Sequence, residues 1–151
     1  MIDATDKKLL RLLQEDCKRT NKFYANALGL STTAVYERIK KLERSKVVSR
    51  YTAVVNKEKV NKNFIAFCHV KLLQHSKEYV LKFERDIAAL EAVVSCFHIA
   101  GDYDYLLKIQ LEDMAAYRYF MVSKLTAIPH IGSTQSAFVI SEVKDSTHIP
   151  L

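Results

Sequence analysis

Between Thr32 and Arg44, hydroxyl and charged side chains recur on one side of a stretch whose other side is apolar. Thr32, Thr33, Tyr36, Glu37, Lys40, Lys41 and Arg44 share the first side. Val35, Ile39 and Leu42, at spacings of four and three, share the second. A helix with this division has the chemistry to lie in a DNA major groove. Threonine methyls meet thymine, and a glutamate carboxylate accepts from the cytosine amino group. Cations neutralise phosphates, which sets register and affinity without reading sequence. Ser31, Thr32, Thr33, Tyr36 and Glu37 are therefore the expected groove-side residues, and Arg38, Lys40, Lys41, Arg44 and Arg50 the expected phosphate contacts. Lys18 and Lys22 are further phosphate candidates. Tyr36 has a second possible place, packed against a wing that follows the helix. A merely solvated amphipathic helix shows the same charged face, so the surrounding elements decide.

Those elements form a helix-turn-helix. Asp3 with Asp6 predicts a capped first helix with Leu9, Leu10, Leu12 and Leu13 on its apolar face. Thr20 caps a second helix from Asn21 to Leu28. Gly29 supplies the backbone freedom of a tight turn, Leu30 fills the core beneath it, and Ser31 caps the third helix. Lys46 to Val55 is rich in β-branched residues and predicts an extended strand, a wing or linker. Asn56 to Asn63 is polar and marks a boundary. The expected domains are residues 1–50, a strand and linker at 51–63, and a second domain at 64–151.

Charge divides the same way. Residues 1–63 hold 15 Lys/Arg against 7 Asp/Glu, whereas residues 64–151 hold 8 against 10. A basic front half points to double-stranded DNA, and a slightly acidic back half to another task. Cys17, Cys68 and Cys96 are isolated, so neither a disulfide framework nor a metal site is expected, and no cofactor. Without a signal region or a long apolar run, the expectation is a cytoplasmic protein with no membrane partner.

The back half alternates strand and helix. Strands are expected at Phe64–Leu73, Val93–Ala100, Tyr105–Leu111 and Thr134–Val143, with helices from Ser76 to about Leu90 and from Asp113 to about Thr126. Gly101-Asp-Tyr-Asp104 joins the middle strands. A β-α-β-β-α-β order fits a ferredoxin-like arrangement, which makes the fold class α+β. Two helices cover only one face of such a sheet. The apolar residues on the other face predict pairing with a second copy.

In this order the motifs resemble the Lrp/AsnC family, the feast/famine regulators, over about residues 2–151. Ile2-Asp-x-x-Asp-x-x-Leu-Leu resembles the family's opening helix. Leu28-Gly-Leu-Ser with Glu37-Arg-Ile-x-x-Leu-Glu resembles its reading head, and Tyr51-Thr-Ala its exit strand. Gly101-Asp-Tyr-Asp-Tyr-Leu-Leu-Lys, Asp113-Met-x-Ala-Tyr-Arg and Glu142-Val-Lys are similar to the leucine-responsive branch. The resemblance implies a DNA-binding regulator built on homodimers that often assemble into octamers. It further implies a small amino-acid effector, leucine-like, bound in the back domain between dimers. It places effector contacts at Gly101, Asp102, Tyr103 and Asp104 and at Thr134, Gln135 and Ser136. The first of these segments has a plain alternative, a β-turn and no more. Three departures stand out: Lys46 where the family usually has glycine, Arg19, Phe23 and Tyr24 in and before the second helix, and Pro129-His-Ile in place of Pro-Gly-Val.

Two other classes compete. An enzyme would need a nucleophile motif, a phosphate loop or a metal pair, and the sequence has none of these. His69 and His98 lie within expected strands and read as core or interface histidines. An amino-acid-sensing oligomerisation module without specific DNA binding is the nearer rival, distinguished by whether the chain captures DNA.

Overall fold

Each α-helix begins on a side chain that accepts a hydrogen bond from the backbone N–H three residues on, so the starts of the helices are written locally. The structure is a computed structural model and describes residues 2–151. Asp3 caps α1 (Ala4–Glu15) and Thr20 caps α2 (Asn21–Leu28). Ser31 caps α3 (Thr32–Arg44), Ser76 caps α4 (Lys77–Ala88) and Asp113 caps α5 (Met114–Phe120). At α1 the bond is reciprocal: Asp6 N–H donates to Asp3, and Asp3 N–H donates to Asp6. The strands are β1 (Phe64–Leu72), β2 (Val93–His98), β3 (Tyr105–Leu111) and β4 (Ile131–Phe138). They form one antiparallel sheet in the order β2-β3-β1-β4, the ferredoxin-like order.

The chain divides into two compact units. The first holds residues up to Val54 together with Lys144–Leu151, and the second holds Val55–Val143. In the first, Leu9, Leu10, Leu13, Tyr24, Ala25, Val35 and Leu42 make the core. Gly29 closes α2 at φ +65°, which glycine adopts without steric cost. In the second, Ala66, Cys68, Val70 and Leu72 of β1 pack with Tyr105, Leu107 and Ile109 of β3. Phe83 and Ile87 of α4 and Tyr117 and Phe120 of α5 cover that face.

Four features depart from the sequence-based expectations. First, Lys46–Val55 forms no strand among the described residues. Lys46 takes φ +60° just beyond the end of α3, and the segment after it pairs with no strand among the described residues. Second, β4 begins at Ile131 and ends at Phe138, earlier at both ends than predicted. Third, the helix expected to reach about Thr126 is α-helical only to Phe120 and continues as one π-helical turn, Met121–Leu125. The Thr126 N–H and hydroxyl both donate to the Met121 carbonyl and close that turn. Fourth, the tail at Lys144–Leu151 belongs to the first unit rather than to the sheet domain. There Gln14 exchanges two hydrogen bonds with the Ile149 backbone, and Arg11 donates to a main-chain oxygen of Leu151.

Candidate nucleic-acid interface and effector site

The front of α3 is open. Ser31, extended at its cap position, accepts from Ala34 N–H at 3.1 Å. Thr32, Thr33, Tyr36 and Glu37 are exposed, while Val35 and Leu42 are buried behind them. Tyr36 is half exposed and carries the Lys40 ammonium 5.8 Å from its ring centre. Arg44 and Arg50 are exposed and have no hydrogen-bond or ion-pair partner among the described residues.

Arg38 departs from the phosphate role expected of it. Its guanidinium bonds Asp3 at 2.7 Å and Asp6 at 2.6 Å, tying α3 to the start of α1. Lys41 joins them on Asp6 at 3.2 Å, although its own side chain is half exposed. Asp6 is wholly buried, the only charged residue of the described part that is. Burial pushes its carboxyl up. The Arg38 guanidinium, the Asp3 N–H and the Lys41 ammonium outweigh burial and hold it below the ordinary carboxylate value. The reason Arg38 turns away is positional: it sits beside the buried stripe, facing a carboxylate that would otherwise be buried without a partner.

Lys40 bonds Glu43 at 2.9 Å, and the Tyr51 hydroxyl donates to the other oxygen of Glu43 at 3.0 Å. Burial and the Glu43 charge together push the Tyr51 hydroxyl up to about 12. The unusual second helix also has a structural account. Tyr24 is buried and donates to the Asp16 carbonyl at 2.6 Å, while Phe23 stays exposed beneath the Arg19 guanidinium, 5.3 Å from its ring centre.

At one end of the sheet the loop before β3 is pinned by its own backbone. Ile99 N–H donates to the Asp104 carbonyl, and Asp104 N–H to the Val70 carbonyl. Gly101 sits at φ +133°, a conformation costly for any other residue. Gly101 and Asp102 are exposed. Asp104 is turned inward, its carboxylate accepting from Leu72 N–H at 2.7 Å and bonding His75 at 2.8 Å. Burial raises this carboxyl, and the Leu72 N–H and His75 more than compensate, so it lies below the ordinary value. Tyr103 packs on His69, ring centres 5.3 Å apart.

The three adjacent β4 residues do not share a face. Successive strand residues face opposite sides of a sheet. Ser136 lies on the helix side, its hydroxyl 2.5 Å from the Tyr117 hydroxyl, and Thr134 points the same way. Gln135 alone is exposed on the open side, in register with His69 of β1. The structure thus groups Tyr103, His69 and Gln135 on one face and leaves Thr134 and Ser136 on the other. His69, read from sequence only as a core or interface residue, and His75, not singled out at all, are the additions. Their signal was nonlocal, since it lies in strand register and loop closure.

A helix-turn-helix with an open, basic recognition helix, joined to a ferredoxin-like domain, defines a class of DNA-binding regulator with a sensor-like second domain. This chain belongs to the Lrp/AsnC family. Residues 2–43 match the AsnC-type helix-turn-helix domain and residues 65–149 the Lrp/AsnC ligand binding domain. It is 32% identical over 151 residues to the DNA-binding transcriptional activator DecR of Escherichia coli K12, covering 100% of this chain and 99% of that protein. It is 33% identical over 150 residues to the leucine-responsive regulatory protein of Haemophilus influenzae, covering 99% of this chain and 90% of that one. A Neisseria meningitidis transcriptional regulator solved as an L-Met complex superposes with a TM-score of 0.95 at 33% identity, over 99% of this chain and 97% of that one. An AsnC family regulator of Agrobacterium tumefaciens does so at 0.95 and 34%, with the same coverage.

Proposed function

We propose that this protein is a sequence-specific transcriptional regulator whose hold on DNA, or whose assembly, responds to a small amino acid. One observation carries the DNA half: at the capped start of α3, Thr32, Thr33, Tyr36 and Glu37 stand exposed on a unit rich in Lys and Arg. These four read base edges. Lys40, Arg44 and Arg50 hold phosphates, with Lys41 shared between Asp6 and the backbone of the DNA. Arg38 is reassigned to positioning α3.

The effector half rests on the loop at Gly101–Asp104 and on Gln135. An amino-acid zwitterion needs acceptors for its ammonium and donors for its carboxylate. Exposed loop carbonyls and Asp102 offer the first, and loop N–H groups with the Gln135 amide offer the second. Asp104 shapes the loop from within. The L-Met complex of the Neisseria relative supports an amino acid as the ligand class. A leucine-like or methionine-like side chain is the expected kind.

The open face of the sheet supports a homo-oligomer. Phe97, 55% exposed, lies in one cross-strand row with Leu106, His69 and Gln135, and Phe67 lies in the next with Lys108 and Ala137. A second copy placed on this face would bury that surface. Among the described residues no helix is long and apolar enough to cross a membrane, and a regulator of this kind is expected to work beside DNA in the cytoplasm. No catalytic role is assigned.

Selection from a random duplex pool tests the reading. Enrichment of one motif, altered by one amino acid in a panel, is the expected result. Amino-acid binding without any DNA capture would favour a sensing module instead.

A further inference from the structure

We propose that Tyr51 and Glu43 are positioning residues that set how available Lys40 is to a DNA phosphate, so that the segment leaving the head tunes the head's grip. This rests on the reading of α3 as the DNA-facing helix and of Lys40 as a phosphate contact.

Glu43 uses both carboxylate oxygens. One accepts the Lys40 ammonium at 2.9 Å, and the other accepts the Tyr51 hydroxyl at 3.0 Å. Lys40 is flanked on its other side by the Tyr36 ring. Lys40 therefore differs from Arg44 and Arg50, which have no such partners among the described residues. A phosphate can take Lys40 only in competition with Glu43.

An isolated exposed pair is weak because two long side chains must be ordered to form it. Here Tyr51 has already fixed the Glu43 carboxylate, which lowers that cost for Lys40 and strengthens the competitor. Tyr51 lies beyond the left-handed turn at Lys46, in the irregular stretch that leads out of the head. Loss of the Tyr51 hydroxyl bond would loosen Glu43 and make Lys40 more available. The connecting segment thereby reaches a DNA contact through two side chains.

Fluorescence-anisotropy titrations of a selected duplex at several salt concentrations test this on the full chain. Lys40→Ala should flatten the salt slope by about one for each head engaged. Glu43→Gln keeps the shape and should tighten binding about two- to fivefold and steepen the slope. Tyr51→Phe should move both readouts the same way by less, and should add nothing on top of Glu43→Gln. In the Lys40→Ala background, Glu43→Gln should lose most of its effect. Thermal unfolding of each variant identifies any that merely destabilise the head. A flattened slope in Lys40→Ala with Glu43→Gln indistinguishable from wild type overturns the proposal alone. An equal effect of Glu43→Gln with or without Lys40 also overturns it, since general charge repulsion then explains the gain. An unchanged slope in Lys40→Ala removes the reading of Lys40 as a phosphate contact as well.

Discussion

The two candidate sites are built in opposite ways. The candidate base-reading residues come from one helix, so their grouping follows from a period of 3.6 and a cap. The effector-end residues come from a loop before β3, the middle of β1 and the middle of β4, and only strand register brings them together. The two units also differ in what pins them. The head adds to its apolar core a buried carboxylate, Asp6, shared by Arg38 and Lys41, whereas the core of the sheet domain is an apolar layer of β1 and β3 under α4 and α5. The contrast teaches that the cations of the head are not equivalent: some hold the fold, and others remain for a partner.

The largest effect should come from breaking the head's hub. Asp6→Ala should cost about 2 kcal/mol of stability in denaturant unfolding, because Arg38 and Lys41 lose a fully buried partner. The pH dependence has a definite sign. The folded Asp6 and Asp104 carboxyls lie below their ordinary value of 3.8, so their contribution is present above that value and is lost as pH falls below it. Asp6→Ala should flatten that acid limb for the head. An unchanged limb would show that the hub carries no such linkage.

The opposite faces of β4 sharpen the comparison next. Ser136→Ala should cost about 1 kcal/mol by leaving the buried Tyr117 hydroxyl without its partner. Gln135→Ala should leave stability unchanged and weaken amino-acid binding in calorimetric titration. The reverse pattern would move the effector site to the helix side of the sheet. Within the head, Thr33→Ala should change the selected sequence with little change in salt slope, and Arg44→Ala should flatten the slope by about one while leaving the preferred sequence intact.

Most of the fold was legible because its signals are local. The helix caps at Asp3, Thr20, Ser31, Ser76 and Asp113, the strand Tyr105–Leu111 and the apolar stripe of α3 all lie within a few residues of what they control. Arg38 was not legible as a structural residue, since its partner Asp6 is 32 positions away in sequence. The resemblance places effector contacts at Thr134, Gln135 and Ser136 together, yet adjacent strand residues diverge, and the period of two is the signal that separates them. The β-branched run after Lys46 has strand propensity, yet a strand needs a neighbour, and none stands beside it among the described residues. The two departures from glycine were legible as departures, and the structure gives both the positive φ that glycine adopts without cost. Lys46 and His130 sit at φ +60° and +68°, and the His130 ring is partly compensated by packing on Tyr79, 3.9 Å between centres. The smallest expected effect follows: Lys46→Gly should stabilise the head by about 0.5–1 kcal/mol, read as a modest rise in unfolding temperature.

In the proposed function one unit reads DNA and the other reads an amino acid that alters the reading. Its most direct test is a single anisotropy titration of a selected duplex, run with and without each amino acid of a panel, on the wild type and on Gln135→Ala. One apolar amino acid should shift the wild-type midpoint, and the shift should be lost or reduced in Gln135→Ala, while DNA binding without the amino acid is the same in both. Absent DNA binding, no shift with any amino acid, or a shift that survives intact in Gln135→Ala would contradict it.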